Sequence, residues 1–460
     1  MKKIIIMLSL PGLISICLCS CKTKPAADVK ANYPEWAKNA VIYEVNTRQY
    51  TPEGTFKAFE SHLPRLKELG VDILWFMPIH PIGELNRKVP EGLTASLGSY
   101  YSVRDYKGVN PEYGTEEDFT NLVKKAHEMG FKVIIDWVAN HSAWDNAWVT
   151  EHPDWYVKDS VTGKMLAPFD WTDCVKLDYK NQEMRKEMIA SMKYWIEKCD
   201  IDGFRCDVAG EVPADFWDQA RLELEKTKPM FMLAENEDKP ELLKKAFDAN
   251  YGWGLHHTMH NVAQGKDSVY SIVKQVLKID SVIPKKTFQM NFITNHDENS
   301  WNGTAKEKFG AGENVFALLT YTLPGMPLIY SGQEAGLDHR LQFFVKDTIN
   351  WTKNDFSPFY KKLNDLKHAN EALWNAPYGG TFEMLKNNQP AKVLSFIREK
   401  GKNKVVVLAN LSNEKVTVNL KGDKADGDYT DVFSESKFTL SSTNLNLTLE
   451  PWGYWVMEAK

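Results

Sequence analysis

Four short segments of this chain each place a polar residue directly after an apolar, β-prone run. Asp136-Trp-Val-Ala-Asn140-His141 follows Lys132-Val-Ile-Ile, and Arg205-Cys-Asp207 follows Ile201-Asp-Gly-Phe. Glu235 follows Met230-Phe-Met-Leu-Ala, and Asn295-His296-Asp297 follows Phe288-Gln-Met-Asn-Phe-Ile. Carboxyl groups delivered in order from the ends of successive strands suit acid–base and nucleophilic chemistry at the mouth of a (β/α) barrel. Taken singly, an Asp at a strand end caps a helix or holds an ion pair, and a lone His is a satisfied polar residue. Four such segments in order, separated by helix-length stretches, indicate an enzyme.

The elements that must position these residues are legible as alternating patterns between about residues 40 and 375. Strands are expected at Val41–Asn46, Val71–Ile79, Phe131–Val138, Gly203–Val208, Met230–Glu235, Tyr251–Met259, Thr287–Thr294 and Met326–Tyr330. An amphipathic helix is expected over Phe56–Leu69, closed by Gly70. Thr115-Glu-Glu-Asp118 reads as a capping box opening a helix to Met129. Further helices are expected at Asn181–Cys199, Ala214–Lys226 and Ser357–Leu373. The Trp-, Asp- and Pro-rich stretch 141–180 breaks the rhythm. It reads as an excursion from the third strand that walls one side of the site. From 377 to 460, short strand candidates separated by Gly, Asn and Asp predict a small antiparallel β-sandwich. They are Val393–Ile397, Val405–Ala409, Val416–Leu420, Phe438–Leu440, Leu445–Leu449 and Tyr454–Met457.

Composition narrows the partners. A net charge of −5 over 460 residues gives no reason to expect nucleic acid. The 15 Trp suit core packing, and also a cleft whose rings stack on the apolar C–H faces of sugars. Met1-Lys2-Lys3 and the apolar run Ile4–Leu18 form a targeting segment over 1–21, too short for a membrane span. Leu18-Cys19-Ser20-Cys21 resembles the bacterial lipobox, which makes Cys21 the lipidation site and 22–34 a polar tether. The resulting expectation is a protein of the bacterial outer membrane whose only membrane contact is its lipid anchor. Lys22 and Lys24 do not resemble an acidic export tag, which favours the periplasmic face. Cys174, Cys199 and Cys206 are odd in number and lack metal-like spacing, so neither a disulfide framework nor a zinc site is expected. Cys206, between Arg205 and Asp207 on a strand, should point into the barrel–helix layer.

Together these segments resemble the signature regions of the α-amylase superfamily, glycoside hydrolase family 13, in order and spacing. Val41-Ile-Tyr-Glu-Val45 resembles its first strand, and Gly325-Met-Pro327 with Gly332-Gln-Glu334 its eighth. The resemblance covers about residues 35–460. It implies an α/β fold: a (β/α)8 TIM barrel over 35–376, a short domain B at 141–180, and the C-terminal β-sandwich. It further implies that Asp207 is the nucleophile, Glu235 the acid/base, and Asp297 the third carboxylate, gripping sugar hydroxyls. His141 and His296 match hydroxyl-binding histidines, Tyr101 the tyrosine stacked beneath the sugar, and His80 a further contact. Arg205, two residues before Asp207, shares its inward face and should keep it ionised, while crowding should hold Glu235 protonated. Asp136 resembles a supporting Asp of the barrel.

Departures temper the substrate assignment. Gly210 stands where many relatives carry a Lys that holds the leaving-group side, and Asn-Glu-Asp follows Glu235 with no Trp. Asn140 matches a calcium-ligand position, and Asp173 or Asp178 could offer oxygens, although the chemistry requires no cofactor. The expectation is a retaining hydrolase of α-1,4-glucosidic bonds in starch-like poly- or oligosaccharides. Its alternatives are a transglycosylase, a cyclomaltodextrinase or neopullulanase type acting on short substrates, and a non-catalytic glucan-binding lipoprotein. The sequence carries no signal of oligomeric state.

Overall fold

The computed structural model describes residues 33–353, 355–441 and 446–459. The targeting segment, Cys21 and most of the tether lie outside the described residues. Eight strands form the centre: β1 (Ile42–Val45), β2 (Ile73–Phe76), β3 (Lys132–Trp137), β4 (Gly203–Cys206), β5 (Phe231–Ala234), β6 (Ala249–Tyr251), β7 (Phe288–Asn291) and β8 (Met326–Tyr330). Each pairs in parallel with its neighbour in sequence, and β1 pairs with β8 to close the ring.

Every strand is buried on both faces, and side chains alternate between two compartments. Ile42, Ile73, Trp75, Ile134, Leu233, Tyr251 and Met290 fill the barrel interior. Tyr43, Leu74, Val133, Phe204, Cys206 and Met232 join the layer between strands and helices. Cys206 thus points outward as expected, and Cys174, Cys199 and Cys206 are all free. Gly203 lets β4 and β5 approach closely: a Cβ there would lie 1.9 Å from the carbonyl oxygen of Phe231, its register partner. Asp136 on β3 stands opposite Arg205 on β4. Because the strands are parallel, their C-terminal ends gather at one mouth.

Local signals explain several helix ends. The Thr115 hydroxyl accepts from the Asp118 amide while Asp118 accepts from the Thr115 amide, completing the box that opens Glu116–Glu128. Two expectations need correction. The helix over 56–69 is broken into Phe56–Glu60 and Leu63–Leu69, because Pro64 has no amide hydrogen to continue the first helix and instead starts the second. The sixth strand is Ala249–Tyr251, and Trp253–Ala263 beyond it is a helix. Leu255, Met259 and Val262 recur at helical spacing there and form the buried stripe.

Between β3 and β4, His141–Ala143 pairs antiparallel with Cys174–Lys176, which folds the 141–180 excursion back over the mouth. The C-terminal domain is a six-stranded sheet with two small two-stranded pairs laid against it. Thr381–Met384 and Gly427–Asp431 are strands of that sheet with no clear signal in the sequence. Leu394, Phe396, Val405, Val407 and Val456 share the core of the barrel's helix layer, so one sheet face packs on the barrel. Arg398 reaches across to donate to the Thr322 carbonyl at 2.9 Å.

Candidate active site

The mouth of the barrel opens into a cleft of about 540 Å³. Asp207, Glu235 and Asp297 line it, with Tyr101, His141, Trp171, Trp301 and Phe343 among its walls. Asp207 and Glu235 follow the last residues of adjacent strands, and one arginine lies beneath both. Arg205 is fully buried, its Nη1 3.0 Å from Asp207 Oδ1 and its Nη2 3.0 Å from Glu235 Oε2. Nη1 also donates to Asp136 at 2.8 Å, and Nε donates to the Tyr251 hydroxyl at 2.9 Å. A planar guanidinium presents its terminal nitrogens as a fork. It therefore holds the two carboxylates side by side at one end of the barrel.

The electrostatics correct one expectation. Arg205 does not serve Asp207 alone, because its charge is divided among Asp136, Asp207 and Glu235. Burial, then the neighbouring Glu235 charge, pushes the Asp207 carboxyl well above the usual carboxylate range, against the lowering effect of Arg205. Burial likewise raises Asp136 to about 6.

Val208, directly after Asp207, holds φ +35° and ψ +46°. Left-handed backbone is strained for a β-branched residue, and strain of this kind gathers at functional sites. Here it aims the Val208 amide at Glu235 Oε2, 2.7 Å away.

The histidines divide in role. Asn140 Nδ2 donates to His141 Nδ1 at 3.2 Å, which leaves Nε2 as the ring's proton carrier. That Nε2 is buried without a partner while the ring lines the cleft, so it stands ready to donate to a substrate hydroxyl. Burial lowers His141 to about 3, so the ring is neutral. His296 is buried behind the wall with both nitrogens engaged. Nδ1 meets Glu44 Oε1 at 2.5 Å, and Nε2 meets the Tyr101 hydroxyl at 2.7 Å. Tyr101 donates onward to Asp136 Oδ2 at 3.1 Å, so it must accept from His296, and the imidazole carries both protons. Burial opposes that charge, but Asp297 and Glu44 outweigh it and raise His296 to about 9. Direct hydroxyl binding by His296 is therefore corrected: in this structure it orders Tyr101 and Asp297, whose Oδ2 is 3.4 Å from Nε2.

Tyr101 lines the cleft with its ring near-parallel to those of His296 and Phe343, whereas Tyr100 is buried with its hydroxyl on Asn46. His80 is a second correction. It is 1% exposed, packed edge-on against Trp137, Trp195 and Tyr106, and does not line the cleft. The turn after β2 directs it into the helix layer. Asp173 faces Lys88 at 3.7 Å and Asp178 accepts from the Lys180 amide, while Asn140 donates to His141 through its nitrogen and not through the oxygen a calcium ion would take. Among the described residues, no three His, Cys, Asp or Glu side chains gather to hold a metal ion. Where the resemblance places a Lys, Gly210 instead accepts a hydrogen bond from Lys239 of the following loop.

Sequence reasoning missed Glu44, Tyr251, Trp301, Phe343 and Phe344. Glu44 did carry a signal: it is a lone carboxylate on the inward face of an apolar strand, two residues after Ile42. The aromatic residues at 301, 343 and 344 lie in turns and loops, where no periodicity marks a direction.

A closed parallel barrel with an arginine-bridged carboxylate pair at its C-terminal mouth defines a barrel glycoside hydrolase. Comparison with known proteins narrows the class. Residues 32–378 match the family model for the alpha amylase catalytic domain, and 382–456 match that for the maltogenic amylase C-terminal domain. Alpha-amylase 3 of Dictyoglomus thermophilum is 27% identical, over 84% of this chain and 88% of that protein. Alpha-amylase MalA of Haloarcula japonica is 26% identical over 90% of this chain, which spans 62% of that relative's length. A solved structure, the noncanonic maltogenic alpha-amylase AmyB from Thermotoga neapolitana, superimposes with a TM-score of 0.83 at 30% identity, covering 92% of this chain and 99% of that one. The chain belongs to the α-amylase family.

Proposed function

We propose that this protein hydrolyses α-1,4-glucosidic bonds of starch-like poly- and oligosaccharides with retention of anomeric configuration. The observation that carries this reading is Arg205 holding Asp207 and Glu235 side by side at the mouth, facing one cleft with Asp297. Asp207 attacks the anomeric carbon while Glu235 protonates the leaving oxygen. Glu235 then takes a proton from water, which releases the sugar from Asp207. Asp297 and the free His141 Nε2 hold hydroxyls of the sugar being cleaved, and Tyr101 lies beneath it. Side chains alone supply these steps.

The test is the anomer first released from maltoheptaose, read by proton NMR before mutarotation, together with the Asp207→Asn variant. The α-anomer from the wild type and none from the variant supports the reading; a β-anomer overturns it. A second reading, action on short or cyclic substrates with transfer to sugar acceptors, is favoured by the match of 382–456 to a maltogenic amylase domain and by Gly210 on the leaving-group side. Products longer than the supplied maltooligosaccharide distinguish transfer from hydrolysis. We further propose lipid anchoring through Cys21 at the periplasmic face of the outer membrane, supported by the lipobox. Cys21→Ser should release the protein from the membrane fraction, and its retention there would refute the anchor.

A further inference from the structure

Directly after Asp297 the chain makes one π-helical turn, Glu298–Asn302, closed by the Gly303 amide donating to the Glu298 carbonyl at 2.9 Å. Turns of this kind occur mostly at functional sites. This one is pinned on two sides. Glu298 is 3% exposed, and its carboxylate is ion-paired with buried Lys308. It also lies 3.1 Å from His256 Nε2 and accepts from Asn302 Nδ2 at 2.9 Å. On the other side, Asn299 accepts from the Leu341 amide at 2.9 Å and Ser300 donates to the Leu341 carbonyl at 3.1 Å. The turn is thereby tied to the segment that carries Phe343 and Phe344.

What so firm a base presents is Trp301. Its indole is 50% exposed, lines the cleft, and packs on Phe343 and Phe344 at ring separations of 5.1 and 6.0 Å. Phe343 is in turn parallel to Tyr101 within 10°, and Tyr101 stacks on His296. An aromatic row therefore runs from the carboxylates to the cleft rim and ends in a half-exposed indole held from beneath. Burying the ions Glu298 and Lys308 carries a desolvation cost, and here they fix the turn that presents an exposed ring at the cleft.

We infer that Trp301, backed by Phe343 and Phe344, stacks on a glucosyl unit beyond the one being cleaved and sets the substrate length this enzyme prefers, with Glu298 as the positioning residue. This rests on the glucan reading above. The sugar's C–H face covers the exposed half of the indole, and the anchored turn keeps the indole at a fixed offset from Asp297.

The test is steady-state kinetics on maltose through maltoheptaose for the wild type, Trp301→Ala, Trp301→Phe, Asn302→Ala and the Trp301→Ala/Asn302→Ala pair. Thermal midpoints check that each variant folds. For substrates long enough to reach the ring, Trp301→Ala should raise KM about 10-fold with kcat little changed, and Trp301→Phe should restore most of it. Asn302→Ala loosens Glu298 and should raise KM for the same substrates, with no further rise once Trp301 is gone. An unchanged KM at every length in Trp301→Ala, with an active wild type, overturns this inference alone. A wild type inert on every glucan overturns the glucan reading and this inference with it.

Discussion

Glu44→Gln is the sharpest probe of the hydrogen-bond chain behind the catalytic wall. Glu44 and His296 are both buried, and the protonated imidazole donates to the carboxylate. Raising His296 from 6.5 to about 9 corresponds to about 3 kcal/mol of preference for the charged ring in the folded protein. The sign follows from linkage. A histidine whose folded value is raised contributes its full stabilisation below pH 6.5 and loses it as pH climbs through about 9. The substituted amide keeps the shape of the carboxylate but not its charge. Asp297 then remains as the main group favouring the imidazolium, against burial, and the folded value of His296 falls. The difference in unfolding free energy between wild type and variant should be largest near pH 6 and smaller by about 1–3 kcal/mol at pH 9.5. That is a change of a few degrees in the gap between melting temperatures. The assay is a set of thermal scans of both proteins at matched pH values between 6 and 9.5; groups that the substitution leaves untouched cancel in the difference. A gap that stays constant or widens with pH would show that Glu44 does not hold the charge on His296, and the proton assignment through Tyr101 to Asp136 would fall with it.

The remaining predictions concern the mouth itself. Glu235→Ala should lower hydrolysis of maltooligosaccharides by about 10⁴-fold; on α-maltosyl fluoride, whose leaving group needs no acid, added azide should raise turnover and yield an α-glycosyl azide, and a β-azide or no rescue there argues against the acid/base assignment. Arg205→Met leaves Asp136 and Asp207 buried without their cation and should destabilise the fold by about 3–5 kcal/mol, measured by denaturant unfolding. A loss below about 1 kcal/mol would mean that the carboxyls there are already neutral. Prolonged EDTA treatment should change neither the melting temperature nor the rate of maltoheptaose cleavage, because the Asp178 carboxylate already accepts from the Lys180 amide and Asp173 faces Lys88; a drop in either would point to a bound ion.

Much of the architecture is written in local chemistry. Alternation along Lys132–Trp137 and Gly203–Cys206 sets which side chains face inward. That alone places Asp136, Arg205 and Asp207 on one side and Cys206 on the other. Capping residues such as Thr115 and Asp118 set helix starts because the free amides of a first turn need acceptors wherever the helix lies. Tertiary structure decided what local chemistry cannot encode. The short sixth strand needed neighbours, because parallel pairing of Ala249–Tyr251 with Phe288–Met290 fixes where it ends. His80, His141 and His296 look alike in sequence, but the turns that follow their strands send one into the helix layer, one to the cleft and one behind Tyr101. Glu44 meets His296 only because the barrel closes, bringing residues 252 positions apart within 2.5 Å. The charge on that imidazole, the sharing of Arg205 and the aromatic row ending at Trp301 all depend on distance through space. Residue order along the chain leaves such distances open.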